Sequence, residues 1–394
     1  MLKNRKNNIK VRYENFGGII GIEKPPALVF VDKSFMKNLG FSNSELWNKK
    51  DKRLSAPTEI HLALTGKCNQ SCSYCYMSSG PDLKYEEMSF DEIKRFIDMV
   101  SDMGVFHIAL GGGESFLRDD LFEIAEYIRK KGMVPNLTTN GSIMNETLAE
   151  KSRVFGQINI SIDSLDLNSK QPRDYIPVEK IINTIKLLKK HGNRVGINFV
   201  VMRKNFEEIE DIVRFAKKMK LADVEFLRLK PQGRGKEVYN LLKCSEEQNK
   251  DFFPKLMKLS KKYRINLKID CSYVPMLCYH NPSKKQFDRF YVKGCYGGDM
   301  LAAVDYKGFV SPCSFAEHSS YKIDEFKSAW ERDDKFKNFY LWEEKAPEPC
   351  RSCPYLSLCR GGCHVVTEYV TGDFYAPDPE CPLVVEFKKQ SADN

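Results

Sequence analysis

Between residues 55 and 240, apolar and polar positions follow two periods in turn. Short runs rich in β-branched residues predict strands near Glu59–Leu64, Val105–Leu110, Val134–Thr138, Gln157–Ile162, Val195–Val201 and Val224–Leu229. Segments of helical spacing fill the gaps. Ser89, with Glu92 three residues on, forms a capping box, and Phe90, Ile93, Phe96, Ile97 and Val100 then recur so as to give one apolar face to a sheet. Six such strand–helix repeats predict a parallel sheet joined by right-handed crossovers. Upstream, Val11–Ile20 and Pro25–Asp32 read as two short strands about a Gly/Pro turn, followed by a short helix to about Leu39.

Composition widens this picture only a little. With 394 residues, 42% of them hydrophobic and 12% aromatic, the chain can bury more than one core. The net charge of +9 comes from 62 basic and 53 acidic residues. The lysines lie along helix faces, as at Lys186, Lys189 and Lys190, and no block of them marks a nucleic-acid groove, so nucleic acid is not an expected partner. No apolar run approaches the roughly 20 residues that cross a bilayer, and Met1–Asn8 has no apolar core of a signal peptide. The expected location is cytoplasmic, with no membrane partner.

The cysteines carry the chemistry. Cys68-x3-Cys72-x2-Cys75 offers three thiolates to a four-iron cluster that normally takes four, which leaves one iron open to a substrate or cofactor. Zinc prefers four closed ligands in paired spacings, and this triplet has neither a fourth partner nor a histidine nearby. Seven more of the 13 cysteines form a second ordered group: Cys295-x12-Gly308-x4-Cys313, then Cys350-x2-Cys353-x5-Cys359-x3-Cys363, then Cys381. A disulfide framework of this density belongs to small secreted domains, so metal binding is the expected use.

The first spacing, with the aromatic Tyr74 directly before the third cysteine, resembles the signature of radical S-adenosylmethionine (SAM) enzymes. The second group matches the SPASM domain appended to one branch of that family. The resemblance implies an α/β fold: a partial (β/α)6 TIM-like barrel over 55–240, a connecting helical segment over 241–290, a SPASM iron–sulfur domain over 291–394, and a small N-terminal β/α extension over 1–54. It implies that Cys68, Cys72 and Cys75 hold a [4Fe-4S] cluster whose open iron takes SAM. Tyr74 would lie near the adenine, and Gly112, Gly113 and Glu114 of a Gly-Gly-Glu element, Asn140, Ser161 and Arg173 would contact SAM. Cys350, Cys353, Cys359 and Cys381 would hold one auxiliary [4Fe-4S] cluster and Cys295, Cys313 and Cys363 a second, completed by Cys278 or Cys271 or left with an open iron.

By the same resemblance the enzyme cleaves SAM reductively and abstracts hydrogen from a peptide or protein, through carbon–carbon, thioether or decarboxylative chemistry, drawing electrons from a donor such as ferredoxin or flavodoxin. The N-terminal extension is loosely similar to the element that binds leader peptides by strand addition. Ser314 stands where sulfatase maturases carry an aspartate, and Cys359 where quinone-cofactor enzymes do, so neither activity is expected. A tetrapyrrole enzyme of the heme biosynthesis type, or another small-molecule radical SAM enzyme, is the alternative. The turn Arg228–Gly235 would close over SAM or face the substrate, and none of the six histidines stands at metal-ligand spacing.

Overall fold

The computed structural model describes residues 2–4, 9–23, 27–49, 53–83, 86–166, 172–174, 176–290 and 292–392. Strands β1 (Leu2–Asn4), β2 (Ile9–Glu14), β3 (Gly17–Ile22) and β4 (Ala27–Asp32) form an antiparallel sheet in chain order, and helix α1 (Lys33–Asn38) packs on β3 and β4. The single strand expected over Val11–Ile20 is thus a hairpin, broken where the chain reverses at Asn15 and Phe16. Pro25 and Pro26 of the expected Gly/Pro turn lie outside the described residues. Ile19 packs with Leu54 and Phe106, and Arg12 donates to the carbonyls of Pro57 and Gly104 at 2.7 and 3.2 Å, which ties this sheet to the next layer.

The main layer alternates β5 (Glu59–Thr65), α2 (Phe90–Asp102), β6 (His107–Gly112), α3 (Leu121–Lys130), β7 (Val134–Thr139), α4 (Glu146–Lys151), β8 (Ile158–Ser161), α5 (Val178–Lys190), β9 (Val195–Val201), α6 (Ile209–Lys218) and β10 (Asp223–Arg228). All six expected strands are present, and the capping box at Ser89 starts α2 as read. Helices α7 (Gly235–Leu242) and α8 (Glu246–Tyr263) lead to β11 (Asn266–Ile269), then α9 (Val274–Cys278) and α10 (Lys284–Arg289). Next come β12 (Leu301–Val304), β13 (Val310–Ser311), α11 (Phe326–Arg332), α12 (Asp334–Tyr340), α13 (Leu356–Cys359), α14 (His364–Thr371) and α15 (Pro382–Ala392).

The nine strands follow the order β11-β10-β9-β8-β7-β6-β5-β12-β13, parallel except for β13. The order is linear, so the barrel stays open. Two sequence expectations change here. The segment 241–290 contributes a strand as well as helices, and the chain after 291 begins by extending the barrel's own sheet through β12. Along each barrel strand the side chains alternate. Ile60, Leu62, Phe199 and Phe226 are fully buried against the helices, each worth about 1.5–3 kcal/mol of transfer free energy. The opposite faces carry His61, Asn136, Asn159, Asn198 and Glu225, which line the barrel interior.

Candidate functional site

An open cavity of about 1730 Å³ runs through the barrel interior to the ends of its strands. Cys68, Cys72 and Cys75 line it from the loop that follows β5, and this loop is tied down by several elements. Its ends meet where the Cys68 N–H donates to the Gly80 carbonyl at 3.1 Å. Arg234 donates to the carbonyls of Cys72 at 2.9 Å and Ser79 at 2.7 Å. Strand β6 approaches so closely that a Cβ on Gly113 would lie 1.9 Å from the Lys67 carbonyl oxygen, so only glycine fits there.

Tyr74, Gly112, Gly113, Asn140, Ser161 and Arg173, the residues expected to contact SAM, also line the cavity. The Asn140 amide bonds Asn69 at 2.8 Å and approaches the Cys68 sulfur at 4.0 Å. Glu114, expected to contact SAM with the two glycines before it, is fully buried, and its carboxylate accepts from Thr139 Oγ1 and the Asn140 N–H, both at 2.8 Å, and from the Phe116 N–H at 3.2 Å, which joins the end of β6 to the end of β7.

Asp163, just past β8, is the residue that sequence reasoning missed. Its carboxylate accepts from the Tyr74 hydroxyl, from Arg173 Nε at 2.7 Å and from the Val200 N–H at 2.9 Å. Arg173 lies over the Tyr74 ring, 5.5 Å from its centroid. Burial, with Asp163's charge adding to it, pushes the Tyr74 phenol well above its ordinary value, so the hydroxyl stays a donor. Arg173 therefore faces the cavity with its charge already paired. The end of β10 and the turn after it split in role: Arg234 clamps the cysteine loop, while Arg228 is bound by carboxylates of the C-terminal region. Arg228 makes a two-pronged ion pair with Asp378 at 2.7 and 2.9 Å and reaches Glu380 at 3.0 Å.

The remaining cysteines separate into two neighbourhoods. Cys271, Cys295, Cys313 and Cys363 line the cavity, with the Cys271 and Cys295 thiols next to each other. Cys350, Cys353 and Cys381 gather about Cys359, whose thiol lies next to that of Cys278. The sequence leaves Cys278 and Cys271 both open for completing the set of Cys295, Cys313 and Cys363. Seven residues of largely helical chain across α9 span roughly 10 Å, so Cys271 and Cys278 fall on different sides of the helix's length, and Cys271 is the one that joins Cys295 and Cys313. Burial pushes the thiols of Cys68 up to about 11 and of Cys313 and Cys350 up to about 12. Such thiols ionise when a metal's charge compensates them.

The radical SAM superfamily model matches residues 62–216. The AdoMet-dependent heme synthase of Methanosarcina barkeri is 30% identical over 342 residues, which cover 83% of this chain and 97% of that one. This chain belongs to the radical SAM superfamily. The mycofactocin maturase MftC of Mycolicibacterium smegmatis is 27% identical over 84% of both chains. Among solved structures, Streptococcus suis SuiB bound to S-adenosylmethionine superposes with a TM-score of 0.74 at 18% identity, over 95% of this chain and 98% of that one. The protein is thus a radical SAM enzyme, and membership implies a [4Fe-4S] cluster and SAM. The residues fit: three thiols face one cavity beside a glycine-lined approach that a side chain would fill. Among the described residues no helix is long and apolar enough to cross a membrane.

Proposed function

We propose that this radical SAM enzyme matures a peptide or protein, with Cys68, Cys72 and Cys75 holding the SAM-binding cluster. When bound, that cluster and SAM supply hydrogen-atom abstraction by a 5′-deoxyadenosyl radical. The protein's own part is to orient and shield. Tyr74 and Arg173, fixed by Asp163, form one wall for SAM, while Gly112, Gly113, Asn140 and Ser161 form the other. Cys271, Cys295, Cys313 and Cys363 hold one auxiliary cluster against the cavity, and Cys350, Cys353, Cys359 and Cys381 hold a second behind it. Electrons enter from a small donor of the ferredoxin or flavodoxin kind.

The observation that carries the peptide reading is the N-terminal sheet. Among the described residues β4 is an open edge, with Val29 and Phe30 exposed beside Phe35 and Leu39 of the α1 turn. An extended peptide gains main-chain hydrogen bonds at such an edge and side-chain contacts on such a face. Residues 1–54 are assigned as this docking element, 55–240 as the catalytic barrel, 241–290 as the connector and 291–394 as the auxiliary-cluster domain. The likeness to a heme synthase favours a second reading, modification of a tetrapyrrole.

One experiment separates the two. Anaerobic enzyme with reconstituted clusters, SAM and a strong reductant is given each short peptide encoded beside the gene, and separately an iron coproporphyrin. A mass change in one peptide supports maturation. A changed porphyrin with every peptide intact overturns it.

A further inference from the structure

Lys230 stands two residues past the end of β10, buried in the cavity wall. Its ammonium has three donors, and all are taken: by Ser272 Oγ at 2.7 Å, a carboxylate oxygen of Asp270 at 3.0 Å and the Arg228 carbonyl at 3.2 Å. The first two partners flank Cys271 in the chain. The Phe315 ring, two residues past Cys313, lies against the same ammonium with its centroid 5.2 Å away. Burial works against the charge, but Asp270, with help from Cys363 and Cys271, holds the amine above its usual range, so Lys230 stays a cation. That charge reaches the sulfurs in turn. Burial pushes the Cys363 thiol up, and of the charges acting on it Lys230's is the strongest, ahead of Arg228 and of the opposing Asp378. Lys230 also acts on Cys271, where Asp270 opposes it. The other neighbourhood differs in sign: besides the thiols themselves, the strongest side-chain charges on Cys350, Cys359 and Cys381 are carboxylates, Asp378 on all three and Glu348 on Cys350.

We propose that Lys230 tunes the auxiliary cluster on the cavity side: its fixed charge makes that cluster the easier of the two auxiliary clusters to reduce, and so the acceptor of the electron that the substrate gives up. The inference rests on the reading of Cys271, Cys295, Cys313 and Cys363 as that cluster's ligands. Lys230 has no donor left for a substrate or a sulfide, so it acts through charge alone. Reduction adds one electron to the cluster and makes it, with its thiolates, one unit more negative; no bond breaks and no proton moves there. A cation held in a site of low dielectric favours the more negative form. The electron is the one the substrate radical releases as it closes to product, its proton passing to water or its carboxyl leaving as carbon dioxide. Lys230 thus bears on how readily that electron leaves, whichever bond is made.

Redox titration of the reconstituted holoenzyme, followed by electron paramagnetic resonance, tests this without a substrate. Added SAM marks the signal of the cluster it binds, and Cys271→Ser marks the cavity-side cluster by its loss. The variants are Lys230→Met and Lys230→Gln, the second of which keeps a donor for Ser272 but no charge. In both, Asp270 still accepts the N–H groups of Arg228 at 2.9 Å and Ser272 at 2.6 Å, so it stays ionised. Both should keep the parent's iron and lower the cavity-side midpoint equally, with the other two midpoints unmoved. The expected loss of electron affinity is at least tenfold, about 59 mV for a one-electron couple. In the parent this cluster should be the easier of the two auxiliary clusters to reduce. An unmoved midpoint, a shift in Lys230→Met that Lys230→Gln does not share, a common shift of all three clusters, or a parent with the opposite order would overturn the proposal. Loss of auxiliary iron from both variants would overturn it too, by making Lys230 a structural residue. A Cys271→Ser enzyme that keeps all its iron would overturn the ligand reading itself, and the proposal with it.

Discussion

Asp163 sets the geometry of two cavity-lining side chains at once, because its two oxygens serve Tyr74, Arg173 and the β9 backbone. Asp163→Asn keeps the volume and removes the charge that Arg173 faces. We expect SAM affinity to fall about tenfold, a loss of about 1.4 kcal/mol, with the iron content of the first cluster unchanged; equilibrium binding and iron analysis check both. The cysteines were legible in the sequence because ligand spacing is set by the cluster and barely by the surrounding fold. Asp163 was not, since a lone carboxylate near a strand end acquires its meaning from what other elements place opposite it. The same holds for Glu114, whose tie between the ends of β6 and β7 is visible only once those strands lie side by side.

At the level of elements, the barrel strands were legible because each is a run of apolar, β-branched residues long enough to carry a period. Strands β11, β12 and β13, of two to four residues, fall outside the strand–helix repeat, and their pairing depends on partners distant in sequence. The apolar runs also hid the polar inward face. On β10 that face presents Glu225, whose carboxyl burial lifts to about 7, with Lys268 opposing and Asp223 and Asp270 adding. Between the usual carboxylate value of about 4.3 and about 7 the folded chain holds this proton while the unfolded chain has lost it. Stability therefore falls as pH rises through that window. Glu225→Gln should leave the melting temperature nearly unchanged at pH 5 and raise it at pH 8, as calorimetry at the two pH values would show. On α9 and the turn before it, Cys271→Ser should remove one auxiliary cluster's worth of iron and Cys278→Ser should not; iron counting with Mössbauer spectroscopy decides, and the reverse result would reverse the assignment.

Across the whole molecule, the barrel and the C-terminal cysteine region meet at Arg228. Although burial works against its charge, the guanidinium holds the Asp378 carboxyl below its usual range, and Asp378 in turn accepts the Cys363 N–H at 3.0 Å. The end of β10 thereby fixes the backbone at a cysteine of the cavity wall. Arg228→Met strands two buried carboxylates and should cost about 3–5 kcal/mol, seen as a lowered denaturation midpoint together with loss of auxiliary iron. The global arrangement of sheet and cavity followed from the repeat pattern in the sequence, whereas this junction did not, because its members lie 150 residues apart. The thiol pairs described above carry a different consequence for the same region. Cys271 touches Cys295 and Cys278 touches Cys359, so a chain that meets air before iron holds two ready-made partners for sulfur–sulfur bonding. Oxygen would then close both pairs and lock the protein in a form that no later supply of iron can fill until a reductant opens it.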